Sequence, residues 1–135
     1  MNNYHSFRID GTLPNLNEYI KADRVMIRHA GHCYSKGNEM KQSVQREVQM
    51  YIKRSLRGVE INNPISITYY FYEPNRRRDK DNVASFAMKV IQDALVAEGV
   101  IKNDGWQSIE SFTCHFFVDK EEPRIEVILE ELKQD

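Results

Sequence analysis

The chain has 135 residues, 41% hydrophobic and 29% charged, with a formal net charge of −1, enough for one core and too few for two independent ones. No apolar run reaches the roughly 20 residues of a membrane-crossing helix, and two cysteines far apart make no disulfide framework, which argues for a soluble domain that is neither membrane-spanning nor disulfide-stapled. The near-neutral balance excludes a uniformly basic nucleic-acid binder, but cations crowd into the first two-thirds, up to Arg78, and acids into the last third, from Asp119 to Glu131. A basic side and an acidic side are therefore expected.

The stretch MNNYHSFRIDGTLP has neither the basic start nor the apolar core of a secretory signal, so a cytoplasmic setting with reduced thiols is expected. Within it Tyr4, Ser6 and Arg8 alternate with His5, Phe7 and Ile9 up to an Asp10-Gly11 turn, the pattern of a strand. LPNLNEYIKADR, with Pro14 and an asparagine suited to capping, predicts a short helix or ordered loop. Residues 27–37 hold no sustained period, carry two glycines and have basic ends, and read as a mobile loop. From about Asn38 to Leu56, Met40, Val44, Val48, Tyr51 and Ile52 recur at helical spacing opposite a basic face.

NPISITYYFYEP is β-branched and aromatic between two prolines, a well-buried strand. Val83, Phe86, Ala87, Val90, Ile91, Ala94 and Leu95 then make a clean three-four repeat, and Gly99 is placed to end that helix in a left-handed cap. A turn about Asp104-Gly105 follows, and SIESFTCHFFVDKEEPRIEVILEEL predicts a hairpin joined through residues 119–123. The expected fold is a single α/β (α+β) domain over residues 1–135, a mixed β-sheet packed with two main helices.

NRRRDKDN, which joins the buried strand to the most secure helix, sets three arginines against two aspartates. On an extended backbone Asp79 and Asp81 project to one side while Lys80 points away. Two carboxylates so placed repel unless a proton or a cation intervenes, and a hard ion such as Mg²⁺ takes such oxygen ligands. Along the helix Asn82, Lys89 and Asp93 share one stripe, so Lys89 could reach back toward the acids with Asp93 orienting its ammonium. Asp104 could fold back beside Asp79 and Asp81, bringing three acids and a lysine together. Ordinary roles also suffice for each: a helix cap, an i,i+4 ion pair, the first half of an Asp-Gly turn. An EF-hand is excluded, because Ala84 and Val90 stand where its loop needs glycine and glutamate. His29, His32 and Cys33 lack the second closely spaced ligand pair of a standard zinc site, and Trp106 is expected to pack in the core or against the hairpin.

RRRDKDNVASFAMKVIQDALVAEGVIKNDGW resembles the signature of RusA-like Holliday junction resolvases, a family often carried by prophages. The likeness rests on Asp79, Asp81 and Asn82, on Lys89 four residues before Asp93-Ala94-Leu95, on Gly99 and on Asp104. It covers about thirty residues closely, with Pro14, Asn17 and Tyr19 similar to the family's early element. Two departures stand out. Some members place the lysine at the position of Ser85, one helical turn before Lys89, and many carry a second acid where this chain has Asn103.

The resemblance implies a homodimeric, Mg²⁺-dependent endonuclease that binds four-way DNA junctions and nicks two opposed strands. Its metal ligands would be Asp79, Asp81 and Asp104, with Lys89 as the catalytic lysine and Asn82 and Asp93 supporting them. Arg76, Arg77, Arg78 and the basic loop around His29–Lys36, Lys36 included, would hold backbone phosphates. A nuclease for flaps, forks or duplex DNA, a non-catalytic DNA-binding module of the same fold and a metal-independent interaction domain are the rival readings.

Overall fold

A computed structural model describes residues 3–133. The elements run β1 (Asn3–Asp10), α1 (Leu16–Asp23), β2 (Met26–His29), β3 (His32–Ser35), α2 (Lys36–Ser55), β4 (Ile65–Glu73), α3 (Lys80–Ala97), β5 (Ile109–Val118) and β6 (Arg124–Glu131). Four strands form a mixed sheet in the order β1-β6-β4-β5, and β2 and β3 form a separate ribbon. The expected mixed sheet with α+β character is present in one domain, with the short α1 joining the two long helices.

Strict alternation along β4 builds the core. Ile65, Ile67, Tyr69 and Phe71 are buried on the helical side, beside Ile125, Val127 and Leu129 of β6 and Phe7 and Ile9 of β1. The helices contribute Val48 and Ile52 from α2 and Val90, Ile91 and Leu95 from α3. Helix starts follow local chemistry: Asn15 and Glu18 form a reciprocal capping box at α1, and Ser35 accepts from the Asn38 backbone N–H at α2. Gly99 has φ 73°, the left-handed turn that ends α3 as expected.

Two predicted elements are corrected. Residues 27–37 are no loop: β2 and β3 pair from Met26↔Ser35 to His29↔His32 around Ala30 (φ 52°) and Gly31 (φ 82°), a two-residue turn whose twist matches the flanking strands. β5 and β6 do not form a hairpin either. β4 lies between them, parallel to β5 and antiparallel to β6, and the α3 crossover makes the parallel neighbour possible. Among the described residues no helix is long and apolar enough to cross a membrane.

Gly37, buried in the first turn of α2, packs against the end of α1. A Cβ there would stand 2.8 Å from both Cα and Cβ of Asp23, whose carboxylate accepts from the Ser35 hydroxyl at 2.6 Å. Alanine ordinarily favours a helix over glycine by about 1 kcal/mol. Here the clash reverses the sign, and Gly37→Ala is expected to lower stability by about 1–3 kcal/mol, read as a lower thermal midpoint. A raised midpoint would mean that the two helices yield freely.

Candidate active site at the start of α3

β4 ends at Glu73 and α3 begins at Lys80, so six residues turn the chain through the arginine-aspartate segment. Asp79 and Asp81 therefore do not share an extended strand end. Asp79 is the residue before the helix, with extended φ −67° and ψ 146°, and Asp81 lies in the first helical turn. Both nevertheless line one cavity of about 760 Å³, together with Glu73, Arg76, Arg78 and Lys80. The Asp79 side chain makes no capping hydrogen bond, although its position is the one at which aspartate usually caps. Asp81 Oδ1 accepts from the Asn82 backbone N–H at 2.9 Å, and the positive end of the helix dipole favours both charges.

Glu73 is the acid that sequence reasoning passed over. It continues the inward-facing odd-numbered series of β4 and is the buried charged residue of the core. Arg78 neutralises it through two hydrogen bonds, Nε to Oε1 at 2.8 Å and Nη2 to Oε2 at 3.0 Å. Arg78 also donates to the Leu13 carbonyl at 2.8 Å and lies 3.6 Å from Glu18. Its guanidinium thus clamps the segment to the core, while the exposed Arg76 and Arg77 carry the basic run's charge outward. The signal was a glutamate in phase with buried apolar positions.

Lys89, Asp93 and Asp104 converge elsewhere. Lys89 Nζ lies 3.1 Å from Asp93 Oδ1, the ordinary i,i+4 pair, and donates to Asp104 Oδ2 at 3.0 Å. Lys41 of α2 completes the group, 3.2 Å from Asp93. Lys89 stands eight residues beyond Asp81, ~12 Å along the helix axis. Asp104 borders a second cavity of about 430 Å³ with Trp106, Ile109 and Phe112. The expected convergence of three acids within one chain is corrected: α3 runs back to the start of the parallel β5, so Asp104 belongs to the end of the sheet opposite Asp79. Among the described residues no three carboxylate, imidazole or thiolate side chains gather closely enough to hold a metal ion.

Asn82 is half-buried beside Asp81, and Lys36 stands exposed at the start of α2, outside the lining of the Asp79 cavity. Trp106 packs neither in the core nor against a hairpin, since its indole is 98% exposed. The chain matches no protein-family model and none of the curated proteins with which it was compared.

The hydrogen bond from Lys89 holds the Asp104 carboxyl below its usual range, and the Lys89 ammonium is raised by Asp104 first and Asp93 second. A depressed carboxyl contributes stability that is present above its unfolded pKa and is lost as pH falls through the folded value. A raised lysine contributes below its unfolded pKa, and loses that contribution as pH rises through the folded one. The pair is therefore constant through neutral pH and weakens at both extremes. Replacing the ammonium by Lys89→Met is expected to move the Asp104 midpoint up toward the ordinary carboxylate value, followed by carbon-detected NMR titration. An unmoved midpoint would assign the depression to something other than Lys89.

Proposed function

We propose that the protein is a Mg²⁺-dependent endodeoxyribonuclease of the RusA-like kind, acting as a homodimer on four-way DNA junctions in the cytoplasm. The observation that supports this reading best is the cavity at the β4–α3 junction. There the carboxylates of Asp81 and of Asp79, which makes no capping hydrogen bond, share a wall with Arg76 and Lys80. Mg²⁺ commonly binds through one or two carboxylates and keeps its remaining positions for water and substrate phosphate, so the donor set fits an open site of that type. Asp79 and Asp81 would hold the ion, which when bound supplies an activated water and charge stabilisation at the phosphoryl oxygens.

The protein's own groups do the rest. Arg76 and Arg77 would bind backbone phosphates beside the cavity, and Lys80 would offset the negative charge that gathers when phosphate approaches the two acids. The bound Arg78 fixes the turn that carries Asp79, so the carboxylates are held by the core rather than by a free loop. Nicking of labelled four-way, forked and linear DNA, with Mg²⁺ and with EDTA, tests the reading. Paired, EDTA-sensitive cuts in the junction support it, and cleavage of forks or duplex at equal rates moves the assignment to a general branched-DNA nuclease.

A non-catalytic DNA-binding module is the second reading, favoured because the third acid lining the cavity, Glu73, is taken up by Arg78 and no three ligand side chains among the described residues gather closely enough to hold a metal ion. Junction binding without any cut would select it.

A further inference from the structure

The candidate site leaves the acidic last third of the chain without a role. The buried side chains of the sheet all lie on its helical face, and on the opposite face none of the four strands buries a side chain. Strand register aligns that open face into rows. One row runs Asp10, Arg124, Tyr72, Phe117, and the next runs Arg8, Glu126, Tyr70, His115. Tyr72 stacks on Phe117 and Tyr70 on His115, each pair with ring centroids 5.1 Å apart, and Tyr70 and Phe117 join the two rows at 6.4 Å. Phe117 is 47% exposed.

Arg124 shows which group this surface selects. Its guanidinium lies 3.7 Å from the centroid of the Tyr72 ring and donates to Asp119 Oδ2 at 2.8 Å and to Glu126 Oε2 at 3.0 Å. A ring against its flat side and carboxylates at its edge satisfy a planar cation on both counts, which a compact ammonium cannot match.

Aromatic platforms on four-stranded sheets also hold unpaired bases, but within a cationic surround that tracks the phosphates. Here five acids, Asp10, Asp119, Glu122, Glu126 and Glu130, stand against Arg8 and Arg124, a surplus of three negative charges, and the neighbouring Lys120 and Glu121 cancel. Each of the two arginines is already held by two of those acids. Such a face repels phosphate and attracts a cation.

We infer that the open face of the sheet is a docking surface for a protein partner that presents arginine, its guanidinium groups set against the rings of Tyr70 and Phe117 and its charge against the acid surplus. Four strands ~4.8 Å apart and about eight residues long make a patch of roughly 500 Å². That area belongs to the low end of specific interfaces, so the complex is transient and salt-sensitive. The face shares only Phe117 with the cavity at the β4–α3 junction, and the inference stands whether or not the chain cuts DNA.

A fluorescein-labelled peptide of alternating arginine and glycine, titrated into the full chain, is expected to bind in the micromolar range and to shift the Tyr70 ring signals in NMR spectra. Its lysine analogue should bind severalfold more weakly. Tyr70→Thr/Phe117→Thr should weaken the arginine peptide about tenfold, the product of two ring contacts. Glu126→Gln/Glu130→Gln should weaken it by a similar factor and flatten its salt dependence. No binding of the arginine peptide, equal binding of the lysine analogue, or wild-type affinity in either variant overturns the inference. A ring variant that loses its fold leaves the decision to the carboxamide variant, under the same criterion. Single-stranded oligothymidine titrated in place of the peptide should leave the Tyr70 signals unmoved, and a shift would make the face a platform for unpaired bases and overturn the assignment to a protein.

Discussion

Asp81→Asn is expected to lower junction nicking by about a thousandfold or more, the scale of several kcal/mol of lost metal-assisted charge stabilisation. Junction binding should persist or tighten, because one negative charge facing phosphate is gone while Arg76 and Arg77 remain. The fold should hardly notice. Asparagine keeps the side-chain oxygen that accepts from the Asn82 N–H, and losing one charge from a first helical turn costs about 0.3–1 kcal/mol. A helix-start role for Asp81 makes the opposite forecast, a small change in stability and unaltered nicking. Measuring the nicking rate beside the thermal midpoint separates the two, and wild-type cutting by the variant would remove the carboxylates from the active site.

Arg78→Ala should act in the reverse sense, through the fold first. Glu73 and Arg78 form a two-bond ion pair with side chains only 11% and 22% exposed. Removing the guanidinium strands a buried carboxylate and frees the Leu13 carbonyl. Breaking a buried pair from one side costs about 3–5 kcal/mol, which for a domain of this size lowers the thermal midpoint by roughly 10 °C or more. Arg78→Lys should recover little of it, since one ammonium cannot reproduce the fork that reaches both oxygens of Glu73 and a carbonyl besides. Arg77→Ala is the comparison: within about 0.5 kcal/mol of wild type in stability, with the salt dependence of DNA binding reduced by about one phosphate contact. Equal stability losses in the two variants would refute the division of the arginine run into one structural and two outward-facing members.

The parts of the fold that the sequence made legible are those whose period is long and whose burial is one-sided. β4 alternates over its whole length and α3 keeps its apolar stripe for several turns, so both were readable with their boundaries nearly right. β2 and β3 were not, because strands of four residues exposed on most positions carry no alternation to detect. The β5–β6 pairing misled for a different reason. Two strands close in sequence resemble a hairpin, and nothing local announces that β4, more than thirty residues upstream of β5, inserts between them. At the candidate site, proximity in sequence is enough to bring Asp79 and Asp81 to one cavity, though not on the extended strand end expected for them. It failed for Asp104, whose position depends on the length of α3 and the direction of β5. The Glu73–Arg78 pair spans a turn, a geometry that neither the helical nor the strand period encodes.

The sheet order carries a consequence for how the chain is made. β6 fills the slot between β1 and β4, pairing with the first strand from Asn3↔Glu131 to Asp10↔Arg124 and with the central strand along its other edge. During synthesis both neighbours are complete while their shared partner is still inside the ribosome. Until residues 124–131 emerge, the nascent domain presents the bare edges of two hydrophobic strands, so native sheet formation must wait for nearly the whole chain. Ribosome-bound chains stopped before Arg124 should therefore be protease-sensitive and held by chaperones, whereas chains extended past Glu131 by a linker that clears the exit tunnel should resist digestion.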